Sequence, residues 1–162
     1  MTAPSPSDVS TAQRDAQPTM SADHLSAWRC FLEAHRRVID QLSRQLRDEE
    51  GLALTWYDVL VQLSEAEGHE LRMQELAAAI LLSRSGLTRL IDKMESAGLV
   101  ERDVCETDGR GTLARMTPSG MARLQQAAPA HIAGVIEQFA RHLDDDEVVV
   151  VERALRRIAN AS

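Results

Sequence analysis

No stretch of this chain approaches the ~20 consecutive apolar residues that a bilayer-spanning helix needs. Its polar amino-terminal segment also lacks the apolar core of a secretory signal, and we read the protein as cytoplasmic. There are only two cysteines, Cys30 and Cys105, too few for a disulfide framework. The chain has no glycine-rich phosphate loop, no HExxH and no CxxC. The histidines (His24, His35, His69, His131 and His142) show no metal-ligand spacing. Acid clusters such as Glu49–Glu50 and Asp144–Asp146 suit solvated or helix-capping positions better than catalytic dyads. These absences weigh against an enzyme, and we expect no cofactor and no metal.

What remains is a chain of 162 residues, 44% apolar and 27% charged, enough for one ordinary globular domain with a real core. The net charge of −7 argues at first against a nucleic-acid partner. The charge is uneven, however. From Ser83 to Met116 there are six bases (Arg84, Arg89, Lys93, Arg102, Arg110 and Arg115) and six acids, so that stretch is neutral and the whole deficit lies elsewhere. An acidic body with a neutral reading edge suits a specific binder of modest non-specific affinity.

The neutral stretch contains the most informative segment, Leu81–Val100. At a helical period Leu87, Leu90, Ile91 and Met94 form one apolar stripe. Ser85, Arg89, Asp92 and Ser96 fall on the opposite face, with Thr88 and Lys93 on its flanks. Ser83 is placed to cap the helix and Gly98 to stop it. The leading turns carry Arg84, Ser85, Thr88 and Arg89 without an acid, the residue types that touch base edges and phosphates in a major groove.

Along the rest of the chain, residues 1–21 hold Pro4, Pro6 and Pro18 among small polar residues and read as a flexible tail. Leu25, Trp28, Leu32, His35, Ile39, Leu42 and Leu46 then step by three and four. They predict a helix of about 24 residues ending before Gly51, with a seam long enough to pair with a second chain. Thr55-Trp56-Tyr57-Asp58 has the form of a capping box opening a second helix, closed by Gly68. Leu71–Ile80 reads as a third, short helix whose cap position, Arg72, is a poor cap. With the turn at Leu81–Ser83 it makes a helix-turn-helix.

Val100–Cys105 and Thr112–Met116 alternate like strands around the turn signal Thr107–Gly111, predicting a hairpin, or wing, with Arg110 at its tip facing a minor groove and Asp108 steadying it. Thr117-Pro118 opens another helix, in which Pro129 should introduce a kink. Asp144–Glu147 prepares a last helix, Val148–Ile158.

This pattern resembles the MarR family of bacterial transcriptional regulators. The likeness rests on LTWYDVLVQL at 54–63, ELAAAILLSRSGLTRLIDKMESAGLVER at 75–102 and DGRGTLARMTPSG at 108–120, where Asp108, Arg110, Thr117 and Gly120 occupy the family's wing signature. It implies a mainly α (α+β) fold, a winged helix-turn-helix with N- and C-terminal helices forming a dimerisation region. Residues 1–21 would be tail and 22–160 the domain, with dimerisation helices at 23–48 and 118–160 and the winged helix-turn-helix at 54–117.

The implied function is sequence-specific regulation of transcription, as a repressor released by a small ligand, on a pseudo-palindromic operator bound by a homodimer. The expected DNA-binding residues are Ser83, Arg84, Ser85, Thr88, Arg89, Lys93, Asp108 and Arg110. Relatives that bind small aromatic acids suggest a ligand set of Trp28, His35, Trp56 and Asp58, with Arg89 of a fitting type. The alternatives are a peroxide sensor acting through Cys30, although its relatives' activating tyrosines are not matched by the single Tyr57, or a winged helix used only to bind protein. Salt-dependent DNA binding separates the last from the main reading.

Overall fold

The structure is a computed structural model and describes residues 20–104 and 112–161. The chain divides into two compact units, one up to His35 and one from Arg36. α1 (Ala22–Glu50) runs through both, five residues longer than expected from its seam at 29 residues. In the first unit Trp28, Phe31 and His35 follow one another along the helix, with ring centroids 6.0 Å and 6.2 Å apart. Leu25, Trp28 and Leu32 of the seam are exposed there.

The second unit continues with α2 (Leu54–Glu65), β1 (Glu70–Arg72), α3 (Met73–Ala79), α4 (Arg84–Ser96), β2 (Val100–Val104), β3 (Thr112–Met116), α5 (Pro118–Gln138) and α6 (Asp145–Ala159). Its core is aliphatic: Leu42 and Leu46 of α1 meet Val59, Leu60 and Leu63 of α2, Leu76 of α3 and Leu87, Ile91 and Met94 of α4. The lower end of the α1 seam is therefore spent inside the unit, and only its upper end remains uncovered.

Several expectations need correction. Thr55 does not cap α2. The helix begins one residue earlier, with Ala53 in the extended cap position and no side-chain cap. Leu52 and Leu54 are both buried, and their burial sets the entry of the chain into α2. Gly68 does not close that helix either; it ends at Glu65, and Gly68 sits in the following turn at φ 65°.

Leu71 and Arg72 are not helical. They form β1, whose register on β3 pairs Glu70 with Arg115, Leu71 with Ala114 and Arg72 with Leu113. β2 joins the other edge of β3, from Val100 opposite Met116 to Val104 opposite Thr112, giving the order β1-β3-β2. Arg72 does precede α3, but arginine has no acceptor to offer. Instead the Glu75 carboxylate accepts the Arg72 N–H at 3.1 Å, supplying the returning half of a capping box. α5 runs continuously from Pro118 to Gln138 with Pro129 inside it. α6 starts at Asp145, three residues before Val148, because Asp144 Oδ1 accepts the Glu147 N–H at 2.9 Å and Glu147 accepts the Asp144 N–H at 3.0 Å.

The start of α5 is fixed closely against the reading end. Thr117 Oγ1 accepts the Gly120 N–H at 3.0 Å and donates to the Gly98 carbonyl at 2.7 Å. A Cβ at Gly120 would lie 2.1 Å from the Leu99 carbonyl oxygen, so only glycine permits this approach. At the end of α1, Arg123 of α5 pairs with Glu50 at 3.1 Å and also donates to the Glu50 carbonyl, satisfying the C-terminal end of that helix. No helix among the described residues is long and apolar enough to cross a membrane.

Candidate nucleic-acid interface

α4 forms where the sequence placed it. Ser83 Oγ accepts the Gly86 N–H at 3.1 Å, and Gly98 at φ 73° turns the chain out of the helix into β2. Leu87, Ile91 and Met94 are buried, which holds the opposite face outward. Arg84, Ser85, Thr88, Arg89 and Lys93 are exposed there, as is the capping Ser83. Thr88 Oγ1 donates to the Arg84 carbonyl at 2.9 Å, leaving its oxygen as an acceptor toward solvent. Arg84 reaches Gln74 of α3 at 3.3 Å.

The charges on this face are sorted by one residue that the sequence reading counted but did not assign. Arg102 on β2 donates to Asp92 at 2.6 Å, to Glu95 at 2.7 Å and to the Thr88 carbonyl at 3.1 Å. Its own N–H donates to Glu95 at 3.2 Å. Arg102 thereby neutralises both acids of α4 and ties the helix to the wing strand. Arg115 on β3 is likewise committed to acids, with Glu70 at 2.7 Å and Asp103 at 3.1 Å. The hydrogen bond and charge of Glu70 hold its guanidinium further protonated. Among the described residues, Arg84, Arg89 and Lys93 have no acidic partner, so the unneutralised positive charge of α4 lies on the predicted face. The available signal in the sequence was Asp92 and Glu95, three apart on one flank, followed by an arginine two residues into the next strand.

Asp108 and Arg110, the expected wing-tip pair, and Cys105 lie outside the described residues. The strands that carry the tip are both present.

The four ligand candidates fall in both units, two in each. Trp28 and His35 belong to the first unit, flanking Phe31. Trp56 lines a cleft of about 460 Å³ with Ser85, Arg89 and Lys93, beside the reading face. Asp58, on the same helix, lines a different cavity of about 360 Å³ with Tyr57, Gln62, Ile80, Leu81 and His131. Burial pushes the Asp58 carboxyl above its usual range and the His131 imidazole below its own. Cys30 is exposed on α1, while Tyr57 is buried with its ring 4.3 Å from that of His131 and tilted by 34°.

The fold is similar to that of solved proteins. The chain is 37% identical to AbsC, a MarR family transcriptional regulator from Streptomyces coelicolor, with a TM-score of 0.80 over 88% of this chain and 96% of AbsC. This chain belongs to the MarR family. The MarR family model matches residues 50–111, which hold α2, α3, α4 and β2. Sco3205, a MarR family transcriptional regulator from the same organism solved in complex with DNA, is 31% identical, with a TM-score of 0.81 over 88% of this chain and 89% of Sco3205. The transcriptional regulator MhqR of Bacillus subtilis (strain 168) is 28% identical over 139 residues, 86% of this chain and 93% of MhqR. The family resemblance drawn from LTWYDVLVQL, the reading helix and the wing signature is thus met across the MarR fold.

Proposed function

We propose that this MarR family chain is a cytoplasmic DNA-binding repressor of transcription. It reads a pseudo-palindromic operator as a homodimer and is released by a small ligand. The observation that carries the reading is the sorted charge of α4: among the described residues Arg84, Arg89 and Lys93 have no acidic partner, on the face whose acids, Asp92 and Glu95, are held by Arg102. Such a face presents donors to guanine edges and phosphates without repelling them. Arg110 is the residue we assign to the adjacent minor groove, with Asp108 steadying the turn that carries it. Release by a ligand is supported by the cavity beside Ile80 and Leu81, since those residues lead directly into the Ser83 cap of the reading helix.

The test is selection of bound sequences from random DNA, followed by titration of Arg89→Ala on the selected site. The substitution should cost about 1–3 kcal/mol and relax preference at one base pair per half-site. Unchanged affinity and preference would mean that another face reads the DNA. Wild-type affinity that does not fall with salt would remove the DNA-binding reading altogether.

A further inference from the structure

The exit from the reading helix is stiff. The Gly98 N–H donates to the Glu95 carbonyl at 2.9 Å and the Leu99 N–H to the Met94 carbonyl at 3.0 Å, so these two residues continue the last turn of α4. Thr117 takes up both of their own carbonyls. Its N–H donates to the Leu99 carbonyl at 3.1 Å, and its hydroxyl donates to the Gly98 carbonyl at 2.7 Å while accepting the Gly120 N–H at 3.0 Å. Capping α5 needs only an acceptor, which an aspartate would supply as well. Thr117 directs its one hydroxyl proton back to the reading helix instead. Gly120 is buried so close to Leu99 that a Cβ there would lie 2.1 Å from the carbonyl oxygen. Less than two turns along, Arg123 and Gln126 both donate to Glu50 Oε2 at 3.1 Å, which holds α5 to the end of α1. Further on, a Cβ at Gly134 would lie 2.5 Å from the Gln45 side-chain oxygen, so the two helices stay in close contact. The same stretch of α5 exposes Ile132 and Ile136, an apolar face for the second copy that the dimeric reading requires.

We propose that Thr117 is a positioning residue for DNA reading. Through the bond from its hydroxyl to the Gly98 carbonyl it fixes the angle between the reading helix and α5, and so the half-site separation that a dimer accepts. The inference rests on the dimeric operator reading above and names the residue that sets operator spacing within it. One extra base pair between half-sites moves them about 3.4 Å apart and turns them by about 34°. A stiff joint between α4 and α5 cannot absorb that change, whereas a loosened joint can.

Three substitutions separate this role from capping. Thr117→Asp keeps an acceptor for the Gly120 N–H but sets a carboxylate against the Gly98 carbonyl. Thr117→Val removes the hydroxyl without adding charge, and Thr117→Ser keeps both bonds. Binding of each full chain is measured by fluorescence anisotropy on the selected operator, on the same operator with one central base pair added or removed, and on a single half-site. Wild type and Thr117→Ser should prefer the selected spacing. In Thr117→Asp and Thr117→Val the altered spacings should gain about tenfold relative to the selected one, the scale of one or two hydrogen bonds. The comparison is made within each variant, so a uniform change in affinity from the added charge divides out. Should Thr117→Val fold poorly, the capped Thr117→Asp still reports, and its melting temperature confirms its folding. A spacing preference that stays at the wild-type value in the folded variants, or that Thr117→Ser loses too, would overturn the role of the hydroxyl alone. Wild type that bound a single half-site as tightly as the pair would instead remove the dimeric reading, and this inference with it.

Discussion

His131 Nδ1 is a buried side-chain polar atom without a hydrogen-bond partner among the described residues, in a ring packed against buried Tyr57. Such a group is expensive to charge. Folding favours its neutral form, because burial lowers its pKa from 6.5. The sign follows: the unfolded chain takes up the proton first, so stability is complete above 6.5 and is lost as pH falls below it. Asp58 has the opposite sign in a lower window. Its carboxyl is raised from 3.8, so its ionised form costs stability at neutral pH and protonation on the way down toward 3.8 relieves the cost. The melting temperature should therefore drop between pH 7 and pH 5, and His131→Phe, which keeps the ring against Tyr57, should flatten that drop. Each 1 kcal/mol is worth roughly 2–4 °C in a chain of this size, so a thermal melt series resolves it. An equal drop in His131→Phe would place the titrating group elsewhere.

At the scale of elements, α4 and β2 behave as one piece because Arg102 joins them. These ion pairs are half open to water and contribute at most about 1 kcal/mol each to stability. Their larger effect is on the DNA approach. Arg102→Ala should weaken operator binding roughly tenfold at low salt, by exposing two acids to phosphates, and the loss should shrink as salt screens them. Adding Asp92→Asn and Glu95→Gln to Arg102→Ala should restore binding if repulsion is the cause. Continued weakness at every salt concentration would mean that Arg102 acts by docking the wing.

The same elements show what sequence can and cannot tell. α4 was legible because thirteen residues hold one period between a serine cap and a glycine stop. The hairpin strands were legible from alternation around a turn. β1 was not: three residues are too few to show a period, and its partner lies on β3, far along the chain. The Thr55 box misled because capping patterns recur by chance, whereas the burial of Leu52 and Leu54 that fixes the true start is a tertiary fact. The candidate reading face was legible for the same reason as α4. The cavity was not, since Asp58 and His131 stand far apart in the chain and meet only through packing.

For the whole molecule, α6 is the decisive element. It is a capped helix of 15 residues, yet none of them is buried, and Val149, Val150 and Ile158 are each more than half exposed. Ile132 and Ile136 on α5 and Phe139 just after it are exposed as well. A 15-residue helix is about 22 Å long, so such faces paired across a two-fold axis have the length that a stable interface needs. Sedimentation should give a dimer of about 36 kDa, twice the 17.9 kDa chain. Val149→Glu, placed where the monomer does not bury it, should dissociate the dimer and weaken operator binding together. A wild-type monomer at micromolar concentration would refute the pairing.

Leu81 has a consequence for how this sequence would change under selection. It holds a left-handed backbone at φ 55° with its side chain 91% exposed, in the turn before the reading helix. For a leucine that conformation costs about 1–2 kcal/mol, and glycine would remove the cost while adding roughly 0.5–1 kcal/mol of unfolded-chain freedom. Leu81→Gly should thus melt no lower than wild type, and a clear fall would show the turn to be unstrained. A population screened only for heat tolerance would drift to glycine here. One screened for response to a bound molecule would keep the leucine, and comparing the two outcomes would show what the side chain is for.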